Sequence, residues 1–351
     1  MPPGRPWQKA VLSAPGLSSC VLTRIFRWFT GGSCRARRLE VPKLDTATPK
    51  DALFIPAGVF EMPPAEARFV RGNEEAVLEI FRLWGYQEVR TPPLEYVESL
   101  GLGLTGQELD MAFKLVDRDT GKVMFLRPDV TPQVARMVSG ALSGTPLPLR
   151  LCYISDVYRH PEDPSHPRRE TIQAGVELLG LSDPQADAEV LAVGVQALAK
   201  MGLSGLHVSV GQVRYAQGLF EEAALDRPTQ ELLVEAACRK DRCLMEKILH
   251  RTGTSAGPKE GILSLAELKG DADVLDRAYE KAPNEVCRRA IENTRDVITL
   301  AVSYGVPPDL LSVDLGELTS FGYHTGTVFT GFVSGAGREG LVQDQELVLD
   351  D

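Results

Sequence analysis

Between Thr171 and Leu178 the side chains alternate, with Thr171, Gln173, Gly175 and Glu177 on one face of an extended segment and Ile172, Ala174, Val176 and Leu178 on the other. Period two marks a β-strand. One face of this strand is apolar, and the other carries an amide and a carboxylate on either side of a glycine. A buried carboxylate is costly unless it is paired or hydrogen-bonded. Either the polar face of this strand is solvated, or it meets a cationic, N–H-rich ligand whose donors a carboxylate and an amide oxygen both accept. Taken alone, the strand favours the solvated face.

A second polar group sits at a strand-to-helix junction. Thr131-Pro132 reads as an N-cap followed by proline at the first helical position, opening Gln133-Val-Ala-Arg-Met-Val and placing Asp129 and Thr131 at the junction. Other combinations carry less chemistry. Gly101-Leu-Gly-Leu-Thr-Gly fits G-x-G-x-x-G, but it neither follows a clear strand nor opens a helix in a βαβ unit, so it reads as a loop. His160 and His166 lie in a Pro-rich loop without a third ligand, which argues against zinc. The six cysteines show no C-x-x-C spacing and read as reduced thiols, with Cys238 and Cys243 as helix residues, not a metal or redox pair. Arg168-Arg169 reads as a solvated or pocket-edge pair. No metal or organic cofactor is expected.

The elements that must position these residues follow from periodicity. Pro63-Pro64 starts a helix in which Val70, Val77, Ile80, Phe81 and Trp84 recur at helical spacing up to Gly85. Gln87 to Thr91 is extended and closed by Pro92-Pro93. Phe113 to Asp117 and Lys122 to Leu126 flank Arg118-Asp-Thr-Gly as a β-hairpin. Residues 185 to 200 read as a helix, Leu206 to Val210 as a strand, 215 to 304 as mostly helical, and about Leu311 to Val333 as a final β segment. Strands grouped around helices without regular βαβ alternation predict an α+β fold with a largely antiparallel sheet.

The chain has 351 residues, of which 43% are hydrophobic, enough for a substantial core. No run reaches the roughly 18 apolar residues of a membrane span, because Arg24 and Arg27 break the best stretch, and a cytoplasmic protein without a membrane partner is expected. Residues 1 to 39 hold seven Arg/Lys and no acid, so the rest carries 31 basic and 48 acidic residues, a net charge of −17. Such an acidic body lacks the positive field that nucleic acids require, which makes tRNA an unlikely ligand. Residues 1 to 50 read as a disordered extension, 51 to 338 as the core with the 215 to 304 insertion, and 339 to 351 as a divergent or truncated tail. The leader also resembles an organelle presequence, and an over-extended start codon fits equally well. Deleting residues 1 to 50 should leave thermal stability and partner binding nearly unchanged, as melting curves and co-elution would report.

Four motifs in order then suggest a family. Gly85-Tyr-Gln-Glu-Val-Arg-Thr-Pro-Pro-Leu-Glu resembles motif 1 of the class II aminoacyl-tRNA synthetases, and Val157-Tyr-Arg-His with Arg169-Glu-Thr-Ile-Gln-Ala-Gly-Val-Glu resembles the histidyl form of motif 2. Leu126-Arg-Pro-Asp-Val-Thr-Pro-Gln-Val-Ala-Arg and Glu317-Leu-Thr-Ser-Phe-Gly-Tyr-His-Thr-Gly-Thr-Val-Phe are similar to the versions found in ATP phosphoribosyltransferase regulatory subunits. The resemblance covers about residues 54 to 338. It implies a class II synthetase-like antiparallel sheet flanked by helices, and a histidine site built from Asp129, Thr131, Arg159, Gln173, Glu177, Tyr323 and His324. It also implies a non-catalytic subunit that forms a homodimer through motif 1. This subunit would pair with the short-form phosphoribosyltransferase catalytic subunit and respond to histidine. The synthetase pattern is broken by Pro161-Glu162, where it has Glu-Arg, and by Thr319-Ser320, where it has Arg-Gly. The residues printed after Gly337-Arg338 hold no Gly-Gly-Arg-Tyr-Asp segment and no motif 3 arginine, and no anticodon-binding domain is expected. Losing a fixed cation where charge develops makes adenylate formation doubtful.

Overall fold

The computed structural model describes residues 55, 56, 58–100, 106–160, 168–203, 205–318 and 325–333, and the backbone of 345–349. Helix α1, Pro64–Leu83, begins on the proline pair and buries Val77 and Phe81. Gly85 follows the C-cap residue Trp84 with φ 83°, the left-handed conformation that lets the chain reverse. Strands β1, Gln87–Glu88, and β2, Leu94–Tyr96, come next, then the short α2, Gly106–Met111. Strands β3, Lys114–Val116, and β4, Val123–Leu126, form the expected hairpin, with Gly121 at φ 70° in its turn, and β2 adds to β4 on the other side.

Helix α3, Thr131–Ser139, corrects one expectation. Its N-cap is Val130, whose own side chain makes no capping bond, so Thr131 is already the first helical residue. Asp129 does the work assigned to Thr131, since its Oδ1 accepts from the Thr131 backbone N–H at 3.2 Å. Proline at the second helical position has no N–H to satisfy, and a carboxylate near a helix N-terminus is favoured by the helix dipole.

Strands β5, Leu149–Tyr158, and β6, Glu170–Leu179, form a ten-residue antiparallel ribbon in register from Leu149↔Leu179 to Tyr158↔Glu170, with β1 parallel to β5. Helix α4, Pro184–Lys200, is capped by Asp183, whose carboxylate accepts from the Ala186 N–H at 3.2 Å. Val190, Leu191 and Leu198 of α4 pack with Ala174, Val176 and Leu178 of β6 and with Val77 and Phe81 of α1. Strand β7, Leu206–Gln212, leads into a helical run of α5, Val213–Glu222, α6, Arg227–Cys238, α7, Arg242–Arg251, and α8, Ala256–Ser264. After β8, Lys269–Gly270, come α9, Asp273–Glu280, and α10, Glu285–Ser303. The segment expected to be mostly helical is so, starting at Val213. Strands β9, Leu311–Asp314, β10, Thr327–Val333, and β11, Gln345–Leu349, complete a sheet ordered β11-β10-β7-β9-β8. The expected late β segment is thus two separate strands, with Thr319 to His324 outside the described residues. The α+β class and its largely antiparallel pairing hold, and the parallel pairs are β1 with β5 and β7 with β9.

Cysteine environments differ. Burial pushes the thiols of Cys152 and Cys287 up to about 12, with smaller contributions from acids such as Glu88 beside the first and Glu222 beside the second. Cys243, second residue of α7, is exposed, and Cys238 ends α6. Alkylation of the native protein near pH 8 should label Cys243 and spare Cys152 and Cys287 until denaturant is added. Peptide mapping reads this directly, and native labelling of Cys152 would contradict the packing.

Candidate functional site

The polar face of β6 is buried. Gln173 and Glu177 are both 0% exposed, because the register places Ser155, Tyr153 and Leu151 beside Gln173, Gly175 and Glu177, and α3 closes over this face. Val130, just before α3, and Val134 of α3 pack there with Leu151, Tyr153 and Val157. The solvated reading of the strand is therefore excluded, and the carboxylate of Glu177 lies inside the protein.

The turn that precedes α3 is locked to β6 through a two-way amide contact. Gln173 Nε2 donates to Asp129 Oδ1 at 3.0 Å, while Gln173 Oε1 accepts from the Val130 N–H at 3.1 Å. Thr131 Oγ1 lies 3.4 Å from the Tyr153 hydroxyl. Arg159, at the end of the ribbon, donates through Nε to the Pro128 carbonyl at 2.7 Å, which brings a guanidinium to the same turn. Asp129, Thr131, Arg159 and Gln173 are thus gathered at one place, and Glu177 shares the β6 face of Gln173 four residues along. Tyr323 and His324 lie outside the described residues.

Residues that the sequence did not single out hold this turn from behind. Arg127 Nη1 donates to the Thr91 carbonyl at 2.8 Å, and its Nε donates to the Asp156 carbonyl at 2.7 Å. Burial lowers the Arg127 pKa, against the opposing pull of Asp156, Tyr158 and Glu95. On the other side of the turn, Gln133 is 0% exposed and donates to the Pro92 carbonyl and to Glu95 Oε1, at 2.6 and 2.8 Å. Its own oxygen accepts from Thr91 Oγ1 at 2.5 Å. Both ends of the turn are thereby tied to the segment around Pro92-Pro93. A polar residue at the third position of a helix otherwise facing the core is the only hint the sequence offered.

The minor candidates have the following surroundings where they are described. His160 is exposed and lies against Phe113, ring centroids 3.9 Å apart, while His166 is outside the described residues. Among the described residues no group of three His, Cys, Asp or Glu is placed to hold a metal ion. Arg168 lies over Phe60 and Arg169 over Phe113, at 5.2 and 5.9 Å. Of the Gly101 to Gly106 stretch only Gly106, which opens α2, is described.

Residues 58–342 match a family profile described as histidyl-tRNA synthetase. The chain is 37% identical over 285 residues to an ATP phosphoribosyltransferase regulatory subunit of Desulfitobacterium hafniense, covering 81% of this chain and 73% of that one. It belongs to the ATP phosphoribosyltransferase regulatory subunit family. Identity is also 37%, over 284 residues, to the regulatory subunit of Syntrophotalea carbinolica, of which the chain spans 66%. Among solved structures, an ATP phosphoribosyltransferase regulatory subunit/histidyl-tRNA synthetase from Bacillus halodurans superimposes with a TM-score of 0.74 at 28% identity, covering 83% of this chain and 75% of that one. The ATP phosphoribosyl transferase (HisG:HisZ) complex from Thermotoga maritima matches with a TM-score of 0.57 at 15% identity, over 75% of this chain and 87% of that one, a likeness of fold alone. Regulatory subunits of this family thus share the class II synthetase-like fold found here. Among the described residues no helix is long and apolar enough to cross a membrane.

Proposed function

We propose that this chain is the regulatory subunit of an ATP phosphoribosyltransferase that senses histidine. Asp129, Thr131, Arg159, Gln173 and Glu177 would line its site, joined by Tyr323 and His324 from the late segment. The observation that carries this reading is the complete burial of Gln173 and Glu177 on a face closed by the Asp129 turn. An amide and a carboxylate there suit the α-ammonium and imidazole N–H groups of histidine, and a guanidinium suits its carboxylate. The partner would be the short-form catalytic subunit, which makes phosphoribosyl-ATP from ATP and phosphoribosyl pyrophosphate. This chain would activate it and relay histidine feedback. Histidine regulates such an assembly only by binding two of its states with different affinity. A homodimer through the motif 1 segment fits the exposed apolar side chains of Leu83 and Leu94 there, 75% and 42% exposed.

Reconstitution tests this reading. Adding the chain to a short-form catalytic subunit should raise phosphoribosyl-ATP formation, histidine should lower it again, and the two chains should co-elute. A catalytic subunit indifferent to the chain would refute the assignment.

The protein is also expected to lack synthetase activity, because Thr319 and Glu162 stand where the synthetase has arginines. Histidine-dependent exchange of pyrophosphate into ATP should stay at background. Exchange at the rate of a working synthetase would move the function to tRNA charging.

A further inference from the structure

The turn that carries Asp129, from Arg127 to Gln133, is poor in bonds of its own. Two of its residues, Pro128 and Pro132, have no backbone N–H to offer. Within it, Asp129 accepts from the Thr131 N–H, and the Val130 carbonyl accepts from the backbone N–H groups of Gln133 and Val134. On its front, the Val130 N–H and the Pro128 carbonyl bond to Gln173 and Arg159, which are themselves candidates for the ligand. The geometry of the turn in the absence of ligand therefore depends on what holds its rear. There both flanks converge on one side chain.

That side chain is Thr91, 9% exposed, in the extended segment between β1 and β2. The direction of every hydrogen bond around its hydroxyl is determined. Gln133 Nε2 faces the Pro92 carbonyl at 2.6 Å and the Glu95 carboxylate, which also pairs with Arg136, at 2.8 Å. Both of these accept and cannot donate, so the oxygen of the Gln133 amide is the atom that faces Thr91. The Thr91 hydroxyl accordingly gives its single proton to Gln133 Oε1, at 2.5 Å, and presents a lone pair to Arg127 Nη1, at 3.2 Å. Arg127 Nη1 also donates to the Thr91 carbonyl, at 2.8 Å. The result is a chain of donors from Arg127 to Thr91 to Gln133, and the cation at its head polarises the hydroxyl.

Arg127 stands two residues before Asp129, and Gln133 two residues after Thr131. The Thr91 hydroxyl is thus a clasp across the two ends of the ligand-bearing turn. A side chain of the same shape without the hydroxyl would leave Gln133 Oε1 buried and without this donor, a cost that loosening of the turn would relieve.

We propose that Thr91 is a positioning residue for the Asp129 turn: its hydroxyl holds Asp129 and Thr131 in the geometry that receives the ligand, acting through Arg127 and Gln133. The proposal rests on the histidine reading for the identity of the ligand and on the hydrogen bonds alone for the role of Thr91. Without the clasp the turn samples geometries that do not meet the ligand, and apparent affinity falls with the fraction of chains that remain competent. The same loosening exposes the amides of Val130 and Thr131 to exchange, because their bonds to Gln173 and Asp129 open when the turn moves.

The test compares the full-length wild type with Thr91→Val, which keeps the shape and removes the hydroxyl, and with Thr91→Ser, which keeps the hydroxyl. In calorimetric titration, histidine affinity should fall about fivefold or more in Thr91→Val and return to within about twofold of wild type in Thr91→Ser. Hydrogen exchange of the unliganded proteins, read by mass spectrometry, should quicken in the peptide spanning 127–134 of Thr91→Val and stay at the wild-type rate in β6. Phe329→Ala is the control for stability lost elsewhere, with a lower melting temperature and an unchanged affinity. Unchanged exchange in the 127–134 peptide would overturn the proposal whether or not histidine binds. Faster exchange throughout β6 would do the same, by making Thr91 a residue of general stability, and so would a Thr91→Ser protein that exchanges as fast as Thr91→Val. Equal histidine affinities beside a loosened turn would also overturn it. A wild type that binds no histidine would instead sink the histidine reading, and faster exchange confined to the turn would then still support the role of Thr91.

Discussion

Glu177→Gln is expected to weaken histidine binding by about 1.5–3 kcal/mol, roughly ten- to a hundredfold, while the fold and partner association survive. The substitution keeps the size of a side chain that is 0% exposed and removes only its charge. What is lost is a charge-assisted hydrogen bond to a ligand cation in a place from which water is excluded, where such a bond is strongest. Calorimetric titration of histidine into both proteins, with assembly checked by size-exclusion chromatography, reads the two effects separately. Equal affinities would remove Glu177 from the site. A melting temperature that fell with affinity would make its role structural.

Phe329→Ala should have the reverse profile, a large loss of stability with little direct effect on the cleft. Phe329 is 1% exposed, in strand β10 between β7 and β11, and packs on the helix-covered side with Val208, Val210 and residues of α4. Truncating a buried phenylalanine removes its transfer free energy and leaves a cavity, together about 3–5 kcal/mol. Against a domain stability of about 5–15 kcal/mol this is a large fraction. For a domain of this size each kcal/mol corresponds to about 2–4 °C, so the melting temperature should fall by roughly 6–20 °C. A fall of under about 3 °C would mean that the site collapses around the missing ring, or that β10 is not part of the cooperative core. Because Phe329 does not share the face of Gln173 and Glu177, histidine affinity measured well below the transition should change little.

Much of the fold was legible in the sequence because it depends on near neighbours. The helix from Pro64, the hairpin around Gly121 and the helix at Pro184 announce themselves through proline, glycine and apolar spacing, which act within a few residues. Alternation likewise put Gln173 and Glu177 on one face without any knowledge of what covers it. The boundary at α3 was misread by one residue, because Thr131-Pro132 and Asp129 compete for the same capping role. The local pattern does not say which side chain reaches the backbone N–H.

The sequence by itself determined the α+β class, the order of the elements and, through four motifs in succession, the family. Only the tertiary structure decided that the polar face of β6 is sealed, since that depends on α3, some forty residues earlier, closing over β5 and β6. Only the tertiary structure brought Arg127 and Gln133 behind the Asp129 turn, and only it set the Thr91 hydroxyl between them. The physical reason is the same in each case. Local propensity and periodicity fix what a segment is and which way its side chains point, whereas burial and hydrogen-bond partnership depend on segments distant in the chain that pack against it.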